Sequence, residues 1–276
     1  MNRHTAISFI GGGNMAASLI GGLIANGHQA DKLRVSDPNP EALNALARFG
    51  VTPCRSNAEA IEAAEVVVLA VKPQVMAQVA RDLAHAIQAN RPLVISIAAG
   101  IREADLQQWL GGDVALVRTM PNTPAMIQAG ATGLHASAMV SDAQASLAES
   151  IMRAVGLIQW VEDESLLDVV TALSGSGPAY FFLVMEALEQ AAIDQGLPAE
   201  TARLLTLQTA LGAARMALES EDSTALLRQK VTSPGGTTEQ AIKTLEAGNI
   251  RELLARALGN AKLRSEQLSA MIHDHG

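Results

Sequence analysis

Two glycine-containing motifs, one near each end of the chain, carry the residues best suited to binding small anions. Val231 to Gln240 reads VTSPGGTTEQ, in which a proline and two glycines form a tight turn before a predicted helix. Because the first N–H groups of a helix are unpaired and carry a positive partial charge, Thr237 and Thr238 are predicted to bind a carboxylate. The hydroxyl of Thr238 is also suited to meet a reacting imine nitrogen. The alternative is a threonine that caps the helix, with Glu239 in its first turn and no ligand.

The second motif is a glycine-rich turn between Ile10 and Ala16, which reads IGGGNMA. It follows a predicted strand and opens a predicted helix, and Gly11, Gly13 and Ala16 fit the pattern G-x-G-x-x-A. The first glycine allows the turn, the second lets the backbone approach a pyrophosphate, and the small third residue lets helix and strand pack closely. Phosphate oxygens then lie at the helix N-terminus. The motif predicts a dinucleotide site; the alternative is a turn that binds no ligand.

Asp37 lies at the end of the second predicted strand, where an acidic residue normally binds the ribose 2′-hydroxyl and favours NAD. Ser36 precedes it, Arg34 lies two residues before Ser36, and no arginine follows Asp37 immediately. Recognition of a 2′-phosphate is therefore not obvious from this segment. The alternative is that Asp37 caps the helix predicted to begin at Pro40.

Other predicted strands end in segments that we expect to line the same cofactor, since ligands collect at the carboxyl ends of strands in open α/β sheets. Lys72 follows one such strand and is expected either to bind a ribose or to lie in solvent. The segments are Lys72-Pro73, Ala98-Ala99-Gly100 and Met120-Pro121-Asn122.

Apolar runs alternate with helical stretches through the first part of the chain, a pattern typical of a parallel sheet covered on both faces. We therefore expect an α/β fold with a Rossmann-type doubly wound sheet in an NAD(P)-binding domain over residues 1–162. The predicted strands are Thr5 to Ile10, Leu33 to Ser36, Val66 to Val71, Leu93 to Ile97, Ala115 to Arg118 and Leu157 to Val161.

The remaining residues, 163–276, are predicted to form an all-α domain that binds substrate and mediates dimerisation. Its helices are rich in leucine, alanine and methionine on several faces, which predicts packing against a second subunit. The alternative is an ordinary monomeric bundle. The predicted helices are Gly177 to Gln195, Ala199 to Glu219, Ala225 to Lys230, Thr238 to Glu246 and Arg251 to Ile272.

Composition argues against several other classes of protein. The formal net charge is −8 without a basic block, so a nucleic-acid partner is not expected. The single cysteine, Cys54, allows neither an internal disulfide nor a thiolate metal cluster, so we expect a reducing cytoplasm and no metal. We expect no signal peptide, and no apolar stretch close to the ~18 residues that span a bilayer.

The distribution of histidine and lysine bears on the reaction. No histidine lies between His135 and His273, and no lysine lies between Lys72 and Lys230. A ketone that accepts a hydride becomes an alkoxide and needs a strong proton donor, whereas a protonated imine needs much less help. The helical half therefore fits imine reduction better than ketone reduction.

Six segments along nearly the whole chain resemble Δ1-pyrroline-5-carboxylate reductase. They are IGGGNMA, AVKPQ at Ala70 to Gln74, IAAGI at Ile97 to Ile101, RTMPNTPA at Arg118 to Ala125, ALSGSGPAY at Ala172 to Tyr180 and VTSPGGTTEQAI at Val231 to Ile242. The resemblance implies a nucleotide-binding domain and a helical domain that interlocks with a partner subunit, often within a larger ring. It implies NAD(P)H-dependent reduction of 1-pyrroline-5-carboxylate to L-proline, the last step of proline biosynthesis.

The resemblance also implies roles for individual residues. Gly236 to Thr238 would hold the substrate carboxylate through the backbone, and Thr238 would face the ring nitrogen. The residues implied around the substrate are Ser176, Glu221, Lys230, Gly236, Thr237 and Thr238. The residues implied around the cofactor are Gly11, Gly12, Gly13, Asn14, Met15, Ala16, Ser36, Asn57, Ala70, Val71, Lys72, Pro73, Ala98, Ala99 and Gly100.

The chain departs from the commoner family pattern at Ser36-Asp37-Pro38, where a basic or amide residue often favours NADPH. We expect NADPH as the preferred cofactor, with NADH possible. Alternative functions are a reductase of another cyclic imine, a β-hydroxyacid dehydrogenase and an NAD(P)-binding sensor. A β-hydroxyacid dehydrogenase normally has a catalytic lysine in the domain-linking helix, and the segment from Ser174 has none.

Overall fold

The structure is a computed structural model that describes residues 3–275. The chain forms two compact units, and the first contains residues up to Ser176 together with those from Asn260 onward. The second unit is Gly177–Gly259. This division differs from the predicted boundary after residue 162, because residues 163–176 and the end of the chain pack with the sheet.

The first unit is built on one eight-stranded sheet in the order β3-β2-β1-β4-β5-β6-β7-β8. Its first six positions have the 3-2-1-4-5-6 order of a doubly wound dinucleotide-binding sheet, which confirms the predicted fold class. All pairings are parallel except β6 with β7. The strands are β1 Ile7–Ile10, β2 Leu33–Ser36, β3 Thr52–Pro53, β4 Val66–Leu69, β5 Leu93–Ser96, β6 Leu116–Met120, β7 Gly130–Ala136 and β8 Gly156–Trp160.

Helices cover both faces of this sheet. Strands β1, β4 and β5 are buried along their whole length, as expected for central strands of a parallel sheet. Since successive side chains point to opposite faces, Phe9 joins one core cluster with Leu19 of the first helix, and Ile10 joins the other with Met76. The helices are α1 Asn14–Ala25, α2 Pro40–Ala47, α3 Asn57–Ile61, α4 Pro73–Asn90, α5 Glu103–Trp109, α6 Asp142–Met152 and α7 Leu166–Val170.

Two strands are absent from the sequence-based prediction. β3 has only two residues, and β7 contains glycines at Gly130 and Gly133 that lower its strand propensity. Gly133 is required by packing, because a β-carbon there would lie 2.7 Å from a methyl group of Val170. The antiparallel β7 therefore depends on tertiary contacts that local sequence does not show.

The second unit is helical, as predicted, and the last helix of the chain belongs to both units. Residues of that helix beyond Asn260 pack with the first unit, where the Ser265 hydroxyl donates to the carboxylate of Asp168 in α7 at 2.5 Å. Nδ1 of His273 lies 2.6 Å from the buried carboxylate of Asp105. The helices are α8 Gly177–Asp194, α9 Ala199–Glu219, α10 Thr224–Lys230, α11 Thr237–Ala247 and α12 Ile250–His275.

Large apolar side chains are exposed along α8 and α9. Phe181, Leu205 and Leu211 have 67%, 56% and 62% of their surface exposed, although the two helices pack against each other. Apolar residues on several faces of a helix indicate that more than one face is normally covered.

The expectation of no apolar stretch long enough to cross a membrane is wrong. α7, a π-helical turn at Thr171–Gly175 and α8 join into one run, Leu166–Asp194, that is long and apolar enough. The sequence prediction began this helix at Gly177 and so missed its length. Helices that pack against protein can have the same length and apolar composition.

Candidate active site

Gly11, directly after β1, lies very close to the backbone that follows β4. Its φ is +103°, and a β-carbon would lie 2.6 Å from the carbonyl oxygen of Ala70, the residue after β4. Only glycine fits both the left-handed conformation and the contact. The turn therefore lies between β1 and β4, where the strand order reverses and dinucleotides bind in folds of this type.

The N-terminus of α1 is left open for an anion. Gly13 is its N-cap, and no side chain caps the helix. A β-carbon at Gly13 would meet no atom within 4 Å, so the space directly beside Gly13 is free of protein. The N–H groups of Asn14 and Met15 therefore face a cradle that fits the pyrophosphate of a dinucleotide.

Asp37 holds the glycine turn. One carboxylate oxygen accepts from the N–H of Gly12 at 2.7 Å, and the other accepts from the N–H of Asn39 at 2.7 Å. The N-cap of α2 is Asn39, whose side chain accepts from the N–H of Glu41. The alternative that Asp37 caps this helix is therefore wrong; Pro40 takes the first helical position and Asn39 the cap.

One cleft of about 370 Å³ gathers residues from the ends of four strands, β1, β2, β3 and β4. Five residues of the predicted cofactor site line it: Gly11, Ser36, Asp37, Asn57 and Val71. The prediction missed five others: Pro38, Arg55, Ser56, Val75 and Val79. Asn57 and its neighbours reach the cleft because β3 pairs with β2, and a two-residue strand leaves no detectable pattern in the sequence.

The remaining cofactor candidates lie at the same edge of the sheet but outside this cleft. Ala98 to Gly100 follow β5, and Gly100 packs beside Ser269 of α12. Pro121 and Asn122 follow β6. The Asn122 amide donates to the carbonyl of Ser174 at 3.0 Å and accepts from the N–H of Ala131 at 2.9 Å, so it braces the π-helical turn. Their contact with a cofactor stays a prediction.

Lys72 takes the N-cap position of α4, with Pro73 in its first turn. Its side chain is exposed. The position is compatible with either of its two predicted roles, ribose binding or solvation.

Elsewhere in the first unit, burial and then the negative charge of Glu59 raise the pKa of the Cys54 thiol, so Cys54 is an unreactive core residue.

In the second unit, the Pro-Gly-Gly turn leads directly into α11 without a side-chain cap. The N-cap is Gly236, and Thr237 is the first helical residue. The alternative of a threonine cap is therefore wrong. Because no side chain occupies the helix N-terminus, the N–H groups of Thr237 and Thr238 are free to bind a carboxylate.

The side chain of Glu239, in the first turn of α11, stabilises the Pro-Gly-Gly turn. Its carboxylate accepts from the N–H of Gly235 at 3.0 Å and lies 3.3 Å from Nζ of Lys243. The backbone hydrogen bond, and then Lys243, lower the pKa of Glu239. Its negative charge is thereby held near Gly235, whose φ of +74° requires glycine.

The other predicted substrate residues are divided between the two units. Lys230 forms an ion pair with Asp222, the neighbour of Glu221, and Glu221 is exposed. Ser176 belongs to the first unit, where its N–H donates to the carbonyl of Thr171 at 2.8 Å. Among residues 3–275, no group of three or more histidine, cysteine or acidic side chains could hold a metal ion.

The doubly wound sheet, the glycine turn at its switch point and the open N-terminus of α1 define a dinucleotide-binding oxidoreductase fold. Residues 6–100 match a family model described as NADP oxidoreductase, coenzyme F420-dependent. Residues 164–268 match the model for pyrroline-5-carboxylate reductase dimerisation. The chain belongs to the pyrroline-5-carboxylate reductase family, which confirms the resemblance seen in its motifs.

Relatives of that name occur in distant organisms. A pyrroline-5-carboxylate reductase of Pseudomonas aeruginosa is 52% identical, over 96% of this chain and 97% of its own length. Pyrroline-5-carboxylate reductase 2 of Homo sapiens is 39% identical, over 96% of this chain and 84% of its own.

Solved structures agree with this assignment. A pyrroline-5-carboxylate reductase of Coxiella burnetii superposes with a TM-score of 0.93 and 51% identity, covering 96% of this chain and 98% of that one. A Plasmodium falciparum pyrroline carboxylate reductase with NADP bound gives a TM-score of 0.85 and 27% identity, covering 97% and 99%.

Proposed function

We propose that this protein reduces 1-pyrroline-5-carboxylate to L-proline with NADPH, and more weakly with NADH, as the last step of proline biosynthesis. The observation that carries the proposal is 52% identity along 96% of the chain to a pyrroline-5-carboxylate reductase. The two anion-binding sites described above have the chemistry that this reaction requires, one for a dinucleotide and one for a small carboxylate.

The dinucleotide is held by the first unit in this proposal. The N–H groups at the start of α1 bind the pyrophosphate, and Ser36, Asn57, Val71 and the glycine turn contact the rest. The first residues after β5 and β6, together with Lys72 and Pro73, complete the site. When bound, the reduced nicotinamide supplies the hydride that is added to the imine carbon.

The carboxylate of the substrate is bound by the backbone of Gly236 to Thr238 in this proposal. The Thr238 hydroxyl orients the ring nitrogen, which carries the proton needed to form the amine, so no strong general acid is required. Ser176, Glu221 and Lys230 complete the substrate site. Most of the rate enhancement comes from holding donor and acceptor in reactive geometry.

We assign the cofactor-binding domain to residues 1–162 and the helical substrate-binding and dimerisation domain to residues 163–276. The match of residues 164–268 to a dimerisation family supports this division. The exposed apolar side chains of α8 and α9 support a homodimer or larger homo-oligomer. We further propose that the enzyme acts in the cytoplasm, which fits a single unpaired cysteine.

The test is oxidation of NADPH and of NADH by the purified protein with 1-pyrroline-5-carboxylate, followed by identification of the product. We expect rapid coenzyme oxidation with stoichiometric L-proline, and faster reaction with NADPH. Other cyclic imines and β-hydroxyacids serve as comparison substrates. Coenzyme binding without turnover of 1-pyrroline-5-carboxylate would contradict the proposal.

A further inference from the structure

Two arginines lie near the end of β2, and their guanidinium groups have different environments. Nη1 of Arg34 donates to the carbonyl oxygens of Glu59 and Glu62, at 3.3 and 3.0 Å. Arg34 therefore stabilises the C-terminal end of α3. Arg55 lines the dinucleotide cleft and is exposed, and within residues 3–275 its guanidinium makes no hydrogen bond or ion pair.

The backbone around Arg55 is held firmly beside the end of β2. β3 pairs with β2 in the register Val35 with Pro53, and the N–H of Cys54 donates to the carbonyl of Val35 at 2.8 Å. The N–H of Arg55 then donates to the Glu59 carboxylate at 2.8 Å. This segment brings Arg55 to the same cleft as Ser36, although the two residues are far apart in sequence.

Apart from one carboxylate, the polar side chains in this part of the cleft can all donate hydrogen bonds. The Ser36 side chain is buried, and its hydroxyl has no hydrogen-bond partner in the described part of the chain. Asn57 adds a side-chain amide. The one carboxylate, that of Asp37, already accepts a backbone N–H on each oxygen. A free guanidinium, a free hydroxyl and an amide together suit a ligand group rich in acceptor oxygens and negatively charged.

We infer that Arg55, together with the Ser36 hydroxyl, binds the 2′-phosphate of the adenosine ribose and so determines the preference of this enzyme for NADPH over NADH. The inference deepens the proposed function, since it concerns the coenzyme of that same reaction. It also changes the meaning of Asp37. Asp37 is an acid at the position that usually selects NAD, but its carboxylate is hydrogen-bonded to the backbone of the glycine turn. In this inference the charge that selects the coenzyme is that of Arg55, which follows β3, the strand paired with β2.

The test uses adenosine nucleotides that differ only in the 2′-phosphate, so that no imine substrate is needed. Dissociation constants of 2′,5′-ADP and 5′-AMP are measured by calorimetry for the wild type and for Arg55→Met, which keeps the length of the side chain. Arg48→Met is the matched control, because Arg48 is exposed in the same unit and lies outside the cleft. Titration with NADPH and NADH repeats the comparison for the whole coenzymes.

We expect Arg55→Met to weaken 2′,5′-ADP by about tenfold to a hundredfold, the size of one to two charge-assisted hydrogen bonds. The affinity for 5′-AMP should stay within about twofold of the wild type, and Arg48→Met should change neither ligand. Equal weakening of both ligands, or an unchanged ratio between them, would overturn the inference. A wild type that shows this discrimination but does not reduce 1-pyrroline-5-carboxylate would contradict the proposed function and leave this inference standing.

Discussion

The N–H of Gly12 donates a 2.7 Å hydrogen bond to the carboxylate of Asp37, which ties the glycine turn to the end of β2. The second oxygen of the same carboxylate binds the N–H of Asn39 at 2.7 Å. One side chain thus fixes two of the backbone segments that border the dinucleotide cleft. An acid at this position ordinarily binds the ribose 2′-hydroxyl, but in this chain both of its carboxylate oxygens accept hydrogen bonds from the protein backbone.

Replacing Asp37 with alanine should therefore damage the turn rather than the choice of coenzyme. We expect a loss of about 1–3 kcal/mol in the free energy of unfolding, because two backbone donors lose a charged acceptor. The affinities for NADH and NADPH should fall by similar factors. Chemical denaturation and coenzyme titration measure both, with Asp31→Ala as an exposed acidic control. Loss of NADH affinity alone would instead place Asp37 on the ribose 2′-hydroxyl.

Gly11 and Gly13 should respond differently to alanine, although they are two residues apart in one motif. Gly11→Ala places a β-carbon 2.6 Å from the Ala70 carbonyl oxygen at a positive φ, so we expect at least about 1–3 kcal/mol of destabilisation. Gly13→Ala meets no protein atom within 4 Å and should fold normally, yet bind coenzyme weakly because its methyl group enters the phosphate cradle. Thermal unfolding and coenzyme titration separate the two effects. Unimpaired coenzyme binding by Gly13→Ala would remove that residue from the phosphate site.

Thr238→Ala should lower turnover while the fold is retained. We expect a reduction of roughly tenfold or more in kcat, the size of one hydrogen bond to the reacting nitrogen. Thr244→Ala is the matched control, because Thr244 lies in the same helix and its hydroxyl donates to the carbonyl of Gln240. Steady-state kinetics with varied imine, together with circular dichroism, provide the measurement. Wild-type turnover in Thr238→Ala would exclude the threonine from the chemistry.

A charged residue on the apolar surface of α8 and α9 should weaken subunit association. Leu205 lines a groove of about 290 Å³ with Phe181, Val184 and Leu188, and it is 56% exposed in the single chain. Leu205→Glu should shift the protein toward the monomer, because burying an unpaired carboxylate in an interface costs several kcal/mol. Met139→Glu, an exposed apolar site in the first unit, should leave the mass unchanged. Sedimentation equilibrium gives the masses, and a Leu205→Glu protein of wild-type mass would contradict the expectation.

Local sequence signals account for most of the sheet and for the two binding motifs. Strands such as Val66–Leu69 are continuous apolar runs, and the two glycine motifs can be recognised from residues within a few positions of each other. The features that the sequence did not indicate depend on contacts between residues that are far apart along the chain. Arg55 reaches the dinucleotide cleft through a two-residue strand, and Asp37 has backbone partners on both sides of β2.

The cap of α2 and the packing of α12 with the first unit were also not predictable from local sequence. The cap of α2 is Asn39 rather than Asp37, because Pro40 fixes where the helix begins. Packing of α12 with the first unit includes the hydrogen bond between Ser265 and Asp168 of α7, which are widely separated along the chain. No periodicity within α12 indicates which unit each of its parts joins.

The two chain crossings between the units, one after Ser176 and one within α12, affect how the protein is made. A ribosome delivers the chain from its N-terminus, so the sheet emerges long before the residues beyond Asn260 that complete its unit. The nucleotide-binding unit therefore stays incomplete until the whole helical unit, Gly177–Gly259, has also been made. For the same reason a single proteolytic cut cannot release the helical unit, since a second covalent connection remains.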